Sequence, residues 1–307
     1  MIEVRSVSKF FGNKKAVRDL SFTIHEGEII GLLGLNGAGK STILKILGCF
    51  LEASQGDAWV GGHSVAQNAQ AVRSLIGYLP DKPPLYEEMK TRAYLEFVAR
   101  LKNVSANAIP QYVDDAMRKT NLLEVSDVSL GELSHGYQQR VGIAQALVHK
   151  PKILILDEPI NGLDPVQIIE MRDLILSLKG QHTVILSSHI LSEITKTCDR
   201  ILVIDKGQLV AEGSESQLRG KAPQGIHVRL ELARSTPELV KALRGLSGVL
   251  QIDESAASQG FLDISCSHDI RPLIAQTVVQ ENGELLSMGR KEAELETLFF
   301  KLVKGGV

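Results

Sequence analysis

Lys40 and Ser41 follow three glycines, Gly34, Gly37 and Gly39, in the order G-x-x-x-x-G-K-[ST]. Glycines at this spacing let backbone N–H groups approach a polyanion, a helix N-terminus behind them favours negative charge, and a lysine spans the outer phosphates. Lys40 is that cation, and the Ser41 hydroxyl, followed by Thr42, is placed to reach Mg²⁺. A second cluster lies far along the chain, in Ile153-Leu154-Ile155-Leu156-Asp157-Glu158-Pro159. Four apolar residues make a buried strand, and two carboxylates emerge at its C-terminal end, where open α/β sheets build their sites. Asp157 would hold Mg²⁺ there and Glu158 would polarise an attacking water. The long separation from Lys40 leaves room for an inserted helical region, and no Asn-Lys-x-Asp tetrad for reading a guanine base is present.

These groups need a scaffold. Glu28 to Leu33 is continuously apolar after its first residue, which predicts a strand buried on both faces just before the glycine loop. Residues 1 to 60 read as β-rich, with turns at Gly12-Asn13 and Glu26-Gly27. Helical spacing of Tyr94, Leu95, Val98 and Leu101 predicts a helix over 91–102, and a second is expected over 114–123. Together these predict a helical insert of about 82–150, closed by Pro151. Further strands are expected at 183–187 and 200–204. The alternation of strand and helix points to a mostly parallel, helix-covered sheet.

Near residues 213–225 the composition shifts to Ser, Gln, Gly, Lys and Pro, which reads as a linker. Beyond it the order is strand, helix, strand, strand, helix, strand, the split βαβ arrangement of ferredoxin-like folds. A closing helix at about 291–303 would place Leu295, Leu298, Phe299 and Leu302 on one face.

Composition narrows the rest. The chain has 307 residues, with 34 Lys and Arg against 36 Asp and Glu. A formal charge of -2 makes no electrostatic case for nucleic acid, and none is expected as a partner. The longest apolar runs fall far short of the roughly 20 residues of a membrane-spanning helix. The N-terminus lacks the apolar core of a secretory signal, so a cytosolic location is expected. Cys49, Cys198 and Cys266 are too widely spaced for a metal site and fit reduced thiols.

Together with Leu133-Ser134-His135-Gly136-Tyr137-Gln138-Gln139-Arg140, the two clusters resemble the ATP-binding subunit of an ABC transporter over about residues 1–215. The resemblance implies an α/β fold of the P-loop NTPase type: a mixed sheet core, an antiparallel β subdomain and the inserted helical subdomain. The accessory α+β region would follow at 216–307, either as a regulatory or dimer-stabilising extension or as passive packing. Asn161-Gly162-Leu163-Asp164 looks like the family's D-loop, Ser188-His189 its switch histidine, and Phe11 with Val17 its adenine-stacking position. The implied ATP contacts are Phe11, Val17, Gly34, Asn36, Gly37, Ala38, Gly39, Lys40, Ser41, Thr42, Ser134, Gly136 and Asp164. Mg²⁺ would fall to Ser41, Asp157 and Asp81. By the same resemblance Glu158 activates water, His189 contacts the γ-phosphate with Lys40, and Asp164 couples two sites.

In the family, ATP lies between the phosphate loop of one subunit and the Ser-x-Gly segment of another, so a homodimer or heterodimer with two ATP molecules is implied. Three positions depart from the family pattern. The Leu-Ser-Gly-Gly-Gln segment carries His135 and Tyr137, and Asp81 stands where the Q-loop glutamine is expected. The resemblance further implies an integral-membrane permease as partner, a peripheral position on the cytoplasmic face of the membrane and an exporter-type role. The competing reading is a soluble ABC ATPase acting on ribosomes or DNA, whose members carry paired ATPase domains or long coiled coils.

Overall fold

The unbroken apolar runs become the middle of a six-stranded sheet. The computed structural model describes residues 1–220, 226–234, 236–254 and 260–291, and the chain divides into two compact units, Met1–Glu215 and Ser216–Val307. In the first unit, strands β1 (Ile2–Phe11) and β2 (Lys14–Ile24) form a hairpin. They are followed by β3 (Ile29–Leu33), helix α1 (Lys40–Leu47), β4 (Gln55–Val60), β5 (His63–Ser64), α2 (Ala69–Leu75) and β6 (Ile76–Leu79). The helical insert holds α3 (Thr91–Leu101), α4 (Ile109–Lys119) and α5 (His135–Leu147). The chain then returns through β7 (Ile153–Leu156), α6 (Pro165–Ser177), β8 (Thr183–Ser188), α7 (Leu191–Thr197), β9 (Arg200–Asp205) and β10 (Gln208–Gly213).

The large sheet has the order β10-β9-β3-β8-β7-β6. It is parallel except for β10 at the edge. Every residue of β3, β7 and β8 is buried, because helices cover both faces of a parallel sheet and no strand residue is left to water. The antiparallel sheet β2-β1-β4-β5 packs on α1 around a shared core that includes Val4, Leu20, Ile43, Leu47 and Ile155. The insert has its own core of Leu95, Val113, Met117, Val141 and Val148.

Two local expectations shift. The second insert helix runs over Ile109–Lys119 rather than 114–123: Pro110 sits in its first turn, where the missing N–H costs nothing, and the chain leaves the helix before Asn121, at φ +54°. The stretch read as a linker carries α8 (Glu215–Gly220) directly after β10. The second unit contains β11 (Ile226–Arg234), α9 (Pro237–Arg244), β12 (Val249–Asp253), β13 (Phe261–Cys266), α10 (Arg271–Gln280) and β14 (Glu284–Lys291). Its sheet order is β12-β13-β11-β14, antiparallel throughout, as a split βαβ fold requires. Val228, Leu230, Leu262 and Ile264 meet Leu239, Leu243, Ile274 and Val278 of the helices in one core. The helix expected at 291–303 lies outside the described residues beyond Lys291.

The insert is tied to the sheet by hydrogen bonding as well as apolar contact. His149, just past α5, approaches the Ile76 carbonyl at the start of β6 through Nε2 at 3.1 Å. A carbonyl only accepts, so Nε2 carries the hydrogen. Burial and the nearby Lys102 hold the ring well below the usual imidazole value, at about 4. Between about 6.5 and 4 the unfolded chain binds a proton that the folded ring refuses, so stability is complete at neutral pH and falls as pH drops through that window. We predict that urea unfolding of the wild type loses about 2 kcal/mol between pH 7 and pH 5 relative to His149→Gln, which keeps a donor for Ile76 but does not titrate. Equal pH slopes in the two proteins would refute this account.

Candidate functional site

Three strand ends converge on one cleft. The glycine loop follows β3, Asp157 and Glu158 follow β7, and His189 follows β8, and these strands are adjacent in the sheet with Leu33 beside Ser188 and Leu156 beside Leu186. The cleft has a volume of about 730 Å³ and is walled by Phe11, Lys14, Asn36, Lys40, Asp81, Asn161 and His189, among others.

The loop is built around α1. Gly39 stands at its N-cap with φ +109°, and a Cβ there would lie 2.6 Å from the Ala16 carbonyl oxygen, so only glycine closes the loop. No side chain caps α1 and no acidic residue lies in its first turn. Its first N–H groups therefore keep no intrahelical partner and face anions favourably. By contrast, α5 is capped by Ser134 and α6 by Asp164.

Lys40, 5% exposed, donates from Nζ to the Gly34 carbonyl at 2.7 Å and pairs with Glu158 Oε1 at 3.2 Å. The other Glu158 oxygen accepts from His189 Nδ1 at 2.9 Å. A carboxylate only accepts when ionised, so the hydrogen is on Nδ1 and Nε2 is left for another partner. Glu158 itself has φ +49°, a left-handed conformation that costs a non-glycine residue on the order of 1–2 kcal/mol. Ser187 holds it there. The Ser187 hydroxyl accepts the Glu158 backbone N–H at 2.9 Å and donates to Asp157 Oδ1 at 2.6 Å.

Asp157 is 2% exposed and also accepts from Ser41 Oγ at 3.1 Å. Burial raises its pKa above the ordinary carboxylate value, and the charges of Glu158 and Asp81 push the same way, against the two hydroxyl donors. A hydroxyl and a carboxylate oxygen side by side, with Asp81 on the same cleft wall, are hard oxygen donors that fit Mg²⁺. That ion is commonly held by one or two carboxylates together with substrate phosphates and water. Among the described residues no three His, Cys, Asp or Glu side chains form a metal cluster of their own.

Of the residues expected to touch ATP, Phe11, Asn36, Gly37, Gly39, Lys40, Ser41 and Thr42 line the cleft. Phe11 is 50% exposed, a ring face open to stacking. Val17 is placed otherwise: it is 1% exposed in the core, because the alternation of β2 turns it inward and leaves Ala16 on the cleft wall. Gly34 and Ala38 serve from behind, through the Gly34 carbonyl on Lys40 and the Ala38 carbonyl that accepts from Gly207. Ser134, Gly136 and Asp164 line no part of the cleft. The Ser134 and Asp164 side chains accept from N–H groups of their own helices, at Tyr137 and at Val166 and Gln167.

Sequence reasoning missed Ser187, Lys14 and Leu35 as cleft or support residues. Lys14 could have been found from its place one turn beyond Phe11; Ser187 could not, since nothing in a serine at a strand end marks it as the partner of Glu158.

Ser187→Ala leaves the buried Glu158 N–H without an acceptor, and we predict a loss of about 1–3 kcal/mol in urea unfolding together with reduced turnover. Lys40→Ala removes a charge-assisted contact to phosphate and should weaken nucleotide binding roughly 10- to 100-fold in equilibrium titration. Unchanged affinity would count against the role of the loop.

Comparison with known proteins accords with this geometry. The ABC transporter family profile matches residues 17–161. The uncharacterized ABC transporter ATP-binding protein YhaQ of Bacillus subtilis is 33% identical over 99% of this chain and 98% of its own. The linearmycin resistance ATP-binding protein LnrL of the same organism is 28% identical over 98% of each. Among solved structures, cbiO1 of Clostridium perfringens, part of the ABC transporter complex cbiONQ, superposes with a TM-score of 0.66 at 26% identity, covering 72% of this chain and 90% of that one. With Lys40, Glu158 and His189 brought to one cleft, the chain belongs to the ABC transporter ATP-binding proteins, whose cassettes bind and hydrolyse ATP.

Proposed function

We propose that this chain is the ATPase subunit of an ABC exporter, working as a head-to-tail pair on the cytoplasmic face of a membrane and driving a separate permease. One observation carries the reading. The catalytic groups Lys40, Glu158 and His189 share a cleft, whereas Ser134 and Gly136, the groups that would complete it around ATP, sit at the start of α5 and line none of it. A second copy, turned head to tail, supplies them. The hydroxyl of Ser134 and the N-terminus of α5 would then face the outer phosphate.

Within one chain, Lys40 is engaged by Glu158. An arriving triphosphate competes for the ammonium group, and a Glu158 oxygen is released to accept a proton from water. His189, fixed by its Nδ1 hydrogen bond, turns Nε2 toward the phosphate. Ser41, Asp157 and Asp81 would hold Mg²⁺, which when bound neutralises charge on the phosphates. Positioning and electrostatics do the remaining work, as is usual for phosphoryl transfer. Binding closes the pair and hydrolysis releases it, a two-state cycle able to drive a partner.

Among the described residues no helix is long and apolar enough to cross a membrane; in this proposal the path for the cargo falls to a permease. Export is supported by the similarity to a resistance protein over nearly the whole chain. The C-terminal split βαβ unit is assigned an accessory role, in regulation or in stabilising the pair.

Glu158→Gln should retain ATP binding, lose turnover by about 10²- to 10⁴-fold and accumulate the ATP-bound dimer, seen by size-exclusion chromatography with multi-angle scattering. Normal turnover in that variant would sink the assignment. Affinity purification from membranes in mild detergent, read by mass spectrometry, should recover a polytopic membrane protein at comparable abundance. Ribosomal or DNA-associated proteins in its place would move the ATPase to a soluble role.

A further inference from the structure

The segment Leu133-Ser134-His135-Gly136-Tyr137 is the start of α5, and its second residue after the leucine is not passive. His135 Nε2 lies 3.1 Å from the carbonyl oxygen of Asn161. That carbonyl can only accept, so Nε2–H donates to it. Asn161 lines the nucleotide cleft, and its own N–H donates to the Glu158 carbonyl at 3.1 Å. The next residue, Gly162, has φ +75°, and a Cβ on it would come within 3.2 Å of the same imidazole nitrogen. The ring thus sits directly on the turn that connects the catalytic carboxylate to the loop ending at Asp164.

Two further contacts join the same pair of helices. The α-carbon of Gly136 faces Gln167 of α6 so closely that a Cβ would lie 2.6 Å from its side chain. Farther along, Arg140 pairs with Glu170 at 2.6 Å. Both are contacts between α5 and α6. Neither reaches the cleft. His135 alone of the three connects the N-terminus of α5 with a residue that walls the cleft.

We propose that His135 is a positioning residue that links the two ends of the machinery within one chain: it ties the Ser134 end of α5 to the Asn161 turn beside Glu158. A shift of that turn when nucleotide enters the chain's own cleft is then transmitted to the end of α5 that completes the partner's cleft. The inference rests on the paired reading above. Family members with glycine at this position have no side chain to make the link, so the device belongs to this chain and to others with a donor there.

The experiment uses the full-length protein with His135→Phe, which keeps a ring but has no donor, and His135→Gln, which keeps a donor of similar reach. Two readouts are taken: steady-state hydrolysis alongside equilibrium binding of a fluorescent ATP analogue, and hydrogen exchange of residues 158–164 in the nucleotide-free chain. His135→Phe should lower kcat about fivefold, the scale of one lost neutral hydrogen bond, with analogue affinity unchanged within twofold and faster exchange across 158–164. His135→Gln should restore both. Wild-type kcat and exchange in His135→Phe would overturn the proposal, as would equal losses in both variants, which would make the ring a packing group only. Because exchange is read without turnover, a failure of the ATPase reading in Glu158→Gln would be distinguishable from a failure of this link.

Discussion

Two buried carboxylates and one buried ammonium group have to be accommodated at the carboxyl edge of the sheet, with the exposed Asp81 on the cleft wall beside them, and the local structure follows from that demand. Asp157 and Glu158 leave a strand whose every residue is buried, so neither can rely on solvent for its charge. Glu158 is matched by Lys40 and His189. Asp157 is matched by two hydroxyls, which only partly offset its burial, and it stays raised in pKa beside its acidic neighbours. The left-handed backbone of Glu158 is tolerated because Ser187 receives its N–H. A divalent cation among these oxygens would offset their excess negative charge, and a triphosphate that takes Lys40 from Glu158 would add to that excess, so the residues present fit the two bound together rather than the polyanion alone.

The distribution of helix caps separates two kinds of helix N-terminus. That of α1 is uncapped and opens on the cleft, while those of α5 and α6 are capped by Ser134 and Asp164. Both capping residues are ones the family uses across its dimer. Within a single chain these two side chains have ordinary structural roles: Ser134 accepts one N–H of its own helix and Asp164 accepts two.

The second unit solves a different problem. Alternating apolar residues on β11 and β13 leave one face of a four-stranded antiparallel sheet to be covered, and α9 and α10 cover it. Thr236 caps α9 and Pro237 fills its first position, so the helix starts where its sequence says it should. The bidentate pair of Arg229 with Asp263 lies across neighbouring strands. The described residues of the unit share a core of their own.

Much of the site was legible in the sequence because its chemistry is local. Backbone N–H groups around a phosphate need glycines at fixed offsets, and a carboxylate pair after four apolar residues must lie at a strand end. The alternation of β2 was legible too, but not which way it faced: Val17 went to the core and Ala16 to the cleft, since only packing against α1 decides which side of a strand is inward. The start of α4 was missed because a proline reads as a breaker until its place in a first turn is known. Composition and motif thus determined that this chain carries an ATP cleft and a separate α+β region. Tertiary structure alone decided that Ser187 props Glu158, that Lys40 and Glu158 are paired, and that His135 touches Asn161. Each of these joins residues distant in sequence, and their separation is bridged only when parallel strands and two helices are packed side by side.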